Sequence, residues 1–104
     1  MFCLFKKIPT ISIRELQGKL DKNTILLDVR SPLEYKRGHI KNAKNVPLNR
    51  ISHYEQKKET TIFVICQSGV RSKQAFRKLT KKGYNVINVG GGMNHWHGPI
   101  KGGN

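Results

Sequence analysis

Cys66 is the residue of this sequence best placed to act as a nucleophile. It follows Thr61-Ile62-Phe63-Val64-Ile65, an uncharged run of β-branched and aromatic residues that reads as a strand buried on both faces of a parallel sheet. Gln67-Ser68-Gly69-Val70 then reads as a short loop with a glycine available for a positive φ, and Arg71-Ser72 opens a segment that reads as helical to Lys82. In that arrangement several backbone N–H groups can point at the Cys66 sulfur. The first turn of a helix carries unpaired donors and a partial positive charge, which favour an anion and so favour the thiolate over the thiol. Arg71 adds a permanent cation nearby. The alternative is an inert core cysteine at a strand end. The coincidence of strand end, glycine loop, arginine and helix start weighs toward chemistry.

Asp28, Arg30 and Glu34 form a second polar group, again at the end of an apolar run, Ile25-Leu26-Leu27. They can orient the loop after Cys66 or wall its pocket. They can also cap a helix and pair with one another, and this structural role is the favoured reading, with any effect on catalysis indirect. His39 reads as a hydrogen-bonded hinge rather than a proton carrier. His95-Trp96-His97 is the one metal-like spacing and lacks further ligands, so no metal site is expected. Cys3 and Cys66 lie far apart and neither belongs to a Cys-x-x-Cys pair, which argues against a disulfide framework.

The elements that must position these residues alternate between two periods. Ile8 to Ile11 reads as an edge strand because Pro9 cannot donate to a ladder. Ser12 and Glu15 have capping-box spacing ahead of Ile13, Leu16 and Leu20, a helical face. Ser31, Pro32 and Glu34 repeat that signature for a short helix to about Gly38. Ala43 to Val46 reads as a strand, and Asn49 or Ser52 as the start of a helix holding Ile51 and Tyr54. In the helix after Cys66, Ala75, Phe76 and Leu79 share the apolar face, while Lys73, Arg77, Lys78, Lys81 and Lys82 face water and Gly83 caps the end. Val86 to Val89 is the last strand, Gly90-Gly91-Gly92 turns behind the loop, and Met93 to Trp96 makes one helical turn. Trp96 reads as core in preference to a pocket wall.

A chain of 104 residues has room for one domain with one modest core. The expected division is an N-terminal extension over 1–7, a domain over 8–100 and a disordered tail over 101–104. Twenty Lys and Arg against six Asp and Glu give a net charge of +14, a field that attracts anions, whether substrates or an acidic protein partner. The basic residues are spread along the chain and no nucleic-acid motif is visible, which argues against nucleic acid as the partner. The five apolar residues before the first lysines are too few for a signal peptide or a membrane span, so the protein is read as cytoplasmic.

Cys66-Gln-Ser-Gly-Val-Arg71-Ser72 resembles the active-site loop of a single-domain rhodanese, a sulfurtransferase. Two further blocks agree, in order and at family-like spacing. One is Leu27-Asp28-Val29-Arg30 with Glu34-Tyr35 and Gly38-His39-Ile40 through Ala43. The other is Val89-Gly-Gly-Gly-Met93 with Trp96 and Gly98-Pro99. The resemblance implies an α/β domain with a five-stranded, mainly parallel sheet, helices on both faces and the pocket at the strand carboxyl ends. It implies a cofactor-free two-step reaction in which the Cys66 thiolate takes a sulfane sulfur from a donor, thiosulfate or a persulfide, and passes it to cyanide or a thiol. Cys66 would be nucleophile and carrier, the N–H groups from Gln67, Ser68, Gly69 and Val70 to Arg71 would cradle the persulfide, and Arg71 would stabilise charge or hold the loop.

Some thiosulfate-specialised relatives carry basic side chains directly after the cysteine. Gln67 and Ser68 are neutral, which weighs against thiosulfate as the physiological donor. Two rival functions remain open on the residues: a sulfur-relay or binding module, and a cysteine-dependent phosphatase or arsenate reductase. Against the second, the loop from Cys66 to Arg71 has six residues, the sulfurtransferase length, where the related phosphatases and arsenate reductases have one more.

Overall fold

The computed structural model describes residues 7–104. The N-terminal extension expected over 1–7, Cys3 included, therefore lies outside the described residues except for Lys7. The elements in chain order are β1 (Thr10–Ile11), α1 (Ile13–Lys19), β2 (Ile25–Asp28), α2 (Pro32–Arg37), β3 (Lys44–Asn45), a 3-10 helix (Leu48–His53), β4 (Thr61–Ile65), α3 (Val70–Lys81), β5 (Asn85–Val89) and a second 3-10 helix (Gly92–His95). The five strands form one sheet in the order β1-β5-β4-β2-β3, and every neighbouring pair is parallel. Pro9 leads into β1, which is an edge strand as its chemistry requires.

Strand alternation divides the core into two layers. Ile62, Val64 and Cys66 face one side with Leu27, Val29, Ala75, Leu79 and Val86, while Phe63 and Ile65 face the other with Ile13, Leu16, Leu26, Tyr35 and Val89. Helix α3 and the first 3-10 helix cover the first face, and α1 and α2 cover the second. The run from Ile62 to Ile65 is thus buried on both sides, the setting in which a parallel strand reads as a near-continuous apolar run.

Both capping boxes form: Ser12 and Glu15 exchange side-chain and backbone bonds at α1, and Ser31 and Glu34 do so at α2, with Pro32 in the first turn. Three local expectations change. The segment around Ile51 is a 3-10 helix that begins after Pro47, because the proline fixes the entry φ ahead of Asn49. Lys82 does not simply face water; its ammonium donates to the carbonyls of Ser52 and Tyr54 at 2.8 and 2.7 Å and meets Glu55 at 3.3 Å. The C-terminal residues are not a free tail, since Lys101 and His39 exchange backbone bonds at 2.9 and 2.8 Å and Gly103 N–H donates to Lys36 O at 2.9 Å. Satisfying backbone groups at the end of α2 ties that segment down.

Candidate active site

The connections after β2 and β4 leave the sheet in opposite directions. β2 leads through α2 to β3 on one side, and β4 leads through α3 to β5 on the other. A crevice opens outside the carboxyl ends of two adjacent parallel strands wherever the connections diverge in this way. Cys66 stands at that point, directly after β4, and Arg30 stands at the matching place after β2.

Cys66 is fully buried, with 0% of its surface exposed. Its backbone is fixed from below: Met93 N–H donates to the Cys66 carbonyl at 2.8 Å and Asn94 N–H to the Gln67 carbonyl at 2.9 Å. Gly92 permits this approach, because a Cβ there would lie 2.3 Å from the Cys66 carbonyl oxygen. Above the sulfur the chain turns through Gly69 at φ 110°, a left-handed conformation that brings the Gly69 N–H to 3.0 Å from Sγ. The Ser72 hydroxyl is 3.5 Å from Sγ and 3.1 Å from the Gly69 carbonyl. Burial pushes the Cys66 thiol up, but hydrogen bonds from the Ser72 hydroxyl and from the amides of Ser72, Gly69 and Ser68 more than offset it, and the net shift is below the ordinary value. Of the amides from Gln67 to Arg71 that the sequence offers, that of Gly69 meets the sulfur by a hydrogen bond. Ser72, quoted only as part of a motif, is a partner of the sulfur that the sequence reading missed.

Arg71 does not reach the sulfur by a hydrogen bond. Its guanidinium forks onto both carboxylate oxygens of Glu34, at 2.6 and 2.9 Å. Arg71 beside it holds the Glu34 carboxyl down at about 2 despite partial burial, helped by the Ser31 amide and hydroxyl. The same bond raises the Arg71 value further. Glu34 thus caps α2 and clamps the first turn of α3 at once.

Asp28 and Arg30 form an ion pair at 2.8 Å with side chains 0% and 5% exposed. Arg30 also donates to the Gly38 carbonyl at 2.8 Å and to Gln67 Oε1 at 3.1 Å, and Gln67 Nε2 donates to Asn94 Oδ1 at 2.7 Å. The favoured reading of these three as a self-paired structural set is half of what the structure shows. Asp28 pairs with Arg30, whereas Glu34 pairs with the Cys66 loop, and Arg30 anchors that loop through Gln67. His39 is buried and hydrogen-bonded: its Nδ1 bonds the Tyr35 carbonyl at 2.8 Å and its ring stacks on Tyr35.

Beside the loop is an open cavity of about 470 Å³ lined by Arg30, Glu34, Arg37, Gln67, Met93 and Trp96, with Gly38 and Ile100 at its edge. Trp96 is half-buried, packing on the core while walling this cavity, so the preference for core was only partly right. Ser68 and Val70 are exposed, and neither is among the cavity residues. Of the rim from Met93 to Ile100, the sequence offered Met93, Trp96 and Gly98-Pro99 as a motif block but no sign that Asn94 and Ile100 belong beside the loop. Among the described residues no group of three or more His, Cys, Asp or Glu is arranged to hold a metal ion.

The fold agrees with that of other proteins. The model of the rhodanese-like domain family matches residues 12–99. The chain belongs to that family. A Bacillus subtilis protein, YrkF, is 38% identical over 96 residues, which are 88% of this chain and 52% of YrkF. The chain thus spans about half the length of that curated relative. The crystal structure of a rhodanese-like domain protein from Staphylococcus aureus superposes with a TM-score of 0.82 at 30% identity, covering 93% of this chain and all of that one. The human single domain sulfurtransferase TSTD1 gives a TM-score of 0.79 at 29% identity over 86% of this chain and 96% of that one. The rhodanese-like fold indicated by the three motif blocks is the fold of this domain. No helix among the described residues is long and apolar enough to cross a membrane.

Proposed function

We propose that the domain is a sulfurtransferase that carries sulfane sulfur on Cys66. The observation that supports this reading most is the environment of Sγ, with an amide at 3.0 Å, a hydroxyl at 3.5 Å and a thiol value lowered in spite of full burial. Such a setting stabilises a thiolate and, after reaction, a persulfide anion. With thiosulfate, the thiolate attacks the outer sulfur, the S–S bond of the donor breaks, sulfite leaves with the bonding pair, and Cys66 bears a persulfide. An acceptor nucleophile, cyanide or a thiolate, then attacks the terminal sulfur and the Cys66 thiolate leaves. Neither step needs a cofactor.

In this reading Cys66 is the nucleophile, the amides from Gln67 to Arg71 hold the anion, and the Ser72 hydroxyl, which accepts from the thiol and donates to the Gly69 carbonyl, turns to donate to the sulfur once the thiolate forms. Arg71 acts through Glu34 as a clamp on the loop. Asp28 and Arg30 hold the same loop from the β2 side. Cys66 is fully buried and does not itself line the cavity, so in this reading the loop at residues 67–70 moves to admit a donor from the cavity walled by Arg30, Gln67 and Trp96. The six-residue loop puts the Gly69 amide on the sulfur itself, an arrangement suited to one added sulfur and crowded for a tetrahedral phosphate.

Intact-mass spectrometry after incubation with thiosulfate and with an organic persulfide tests the proposal. The wild-type chain should gain one sulfur atom, mapped to Cys66 and discharged by cyanide. Cys66→Ala should gain none, and Cys3→Ser should behave as wild type. Robust Cys66-dependent hydrolysis of aryl phosphates, with no persulfide from any donor, would overturn the assignment.

A further inference from the structure

We infer that the exposed face of α3, starting at the Cys66 loop, is the docking surface for an acidic protein that delivers or receives sulfur. This rests on the sulfur-transfer reading and names the partner for it. At 100° per residue, Val70, Lys73, Arg77 and Lys81 fall on one side of α3, opposite the buried Ala75 and Leu79. Lys73, Arg77, Lys78 and Lys81 are exposed, and no ion-pair partner meets any of them among the described residues. Helix α3 contains no Asp or Glu. Four of the chain's six acids are engaged elsewhere: Glu15 in a cap, Asp28 with Arg30, Glu34 with Arg71 and Glu55 with Lys82. The helix therefore carries an uncompensated row of cations.

The stripe's position and length point to the partner's class. It starts on the loop that holds the sulfur and runs about 16 Å along the helix at 1.5 Å per residue, longer than a small anionic donor can span. At its loop end Val70 is 66% exposed, and Leu33, which precedes Arg71's partner Glu34, is 60% exposed. Aliphatic side chains beside a row of cations fit a protein surface with acidic and apolar groups better than a phosphate backbone. Mutual repulsion at +14 each opposes a second copy of this chain as the occupant.

The test uses the full chain and two thiol peptides, each with one cysteine, one carrying five Asp or Glu residues and the other Ser in their place. Wild-type chain loaded with sulfur on Cys66 should pass it to the acidic peptide about tenfold faster than to the neutral one, and added salt should erase the difference. The terminal sulfur moves to the peptide thiolate and Cys66 returns to thiolate, so peptide persulfide is the readout. The triple variant Lys73→Glu, Arg77→Glu, Lys81→Glu should lose the preference and keep its rate with cyanide; circular dichroism confirms its fold. Fluorescence anisotropy of the labelled acidic peptide reports docking even if no persulfide ever forms, which separates failure of this inference from failure of the sulfur chemistry. Equal rates and equal binding for the two peptides, an unchanged preference in the triple variant, or tighter binding of a single-stranded oligonucleotide than of the acidic peptide would each overturn it.

Discussion

The ends of β2 and β4 are built alike and finished differently. Each strand stops beside the other in the sheet, each is followed by a short loop, and each loop opens a helix. After β2, the helix start turns donors onto its own side chains: the amides of Ser31 and Glu34 are taken up in a capping box. After β4, the residue at the cap of α3 is Gly69, with no side-chain bond to the helix, and the amides turn toward the Cys66 sulfur. The difference shows how one motif yields a closed cap in one place and donors turned on a sulfur in another. A helix start whose donors are satisfied by its own side chains contributes stability, whereas one left open can hold an anion.

Substitutions at matching positions should separate the two ends. The largest effect is expected at Gly92→Ala, which places a methyl 2.3 Å from the Cys66 carbonyl on a residue with φ 59°. Overpacking and backbone strain together should cost about 3 kcal/mol, read as a lower urea midpoint, and should displace the sulfur. Wild-type stability in that variant would show that the β4 end is not held from below. Next comes a pair of serines. Ser72→Ala should raise the midpoint of Cys66 alkylation against pH and slow persulfide formation at neutral pH by roughly tenfold, the worth of a hydrogen bond to a charged group. Ser31→Ala should cost about 1 kcal/mol of stability and leave the alkylation midpoint where it was. If both variants shifted the thiol equally, the two helix starts would not differ as described.

The bridge between the two ends has a pH signature. Glu34 titrates at about 2 in the folded chain against an ordinary 4.5, so the Glu34–Arg71 pair contributes fully above about 4.5 and is lost as pH falls through 2. Glu34→Gln should therefore narrow its stability gap to wild type across that window, with a small amplitude because both side chains are about a third exposed. An unchanging gap would mean that the carboxylate does not hold the loop. The smallest effect concerns donor choice. Ser68→Lys adds a cation at an exposed position and should raise kcat/KM for thiosulfate a few-fold, about 1 kcal/mol. Gln67→Lys should lower it, because the lysine forfeits the acceptor for Arg30 and the donor to Asn94. A gain at Gln67 equal to that at Ser68 would mean that the Arg30 anchor is dispensable.

Features written within a few residues were legible from the sequence alone. Both capping boxes span Ser to Glu at i and i+3, the charge-free run of β4 announces burial on both faces, and the order strand, glycine, arginine, helix marks Cys66. Such patterns are visible because helix and strand periods repeat locally. The tertiary structure decided everything that crosses the sheet. Glu34 meets Arg71, and Arg30 meets Gln67, each across a separation of 37 residues, because β2 and β4 lie side by side with β3 displaced to the edge. Gly92 fits beneath Cys66 because β5 flanks β4 on the other side, and Lys101 is held because it returns to the end of α2. Charge and size made each contact feasible, but only the strand order selected which charges meet, so the sequence marked Cys66 and the fold assembled what surrounds it.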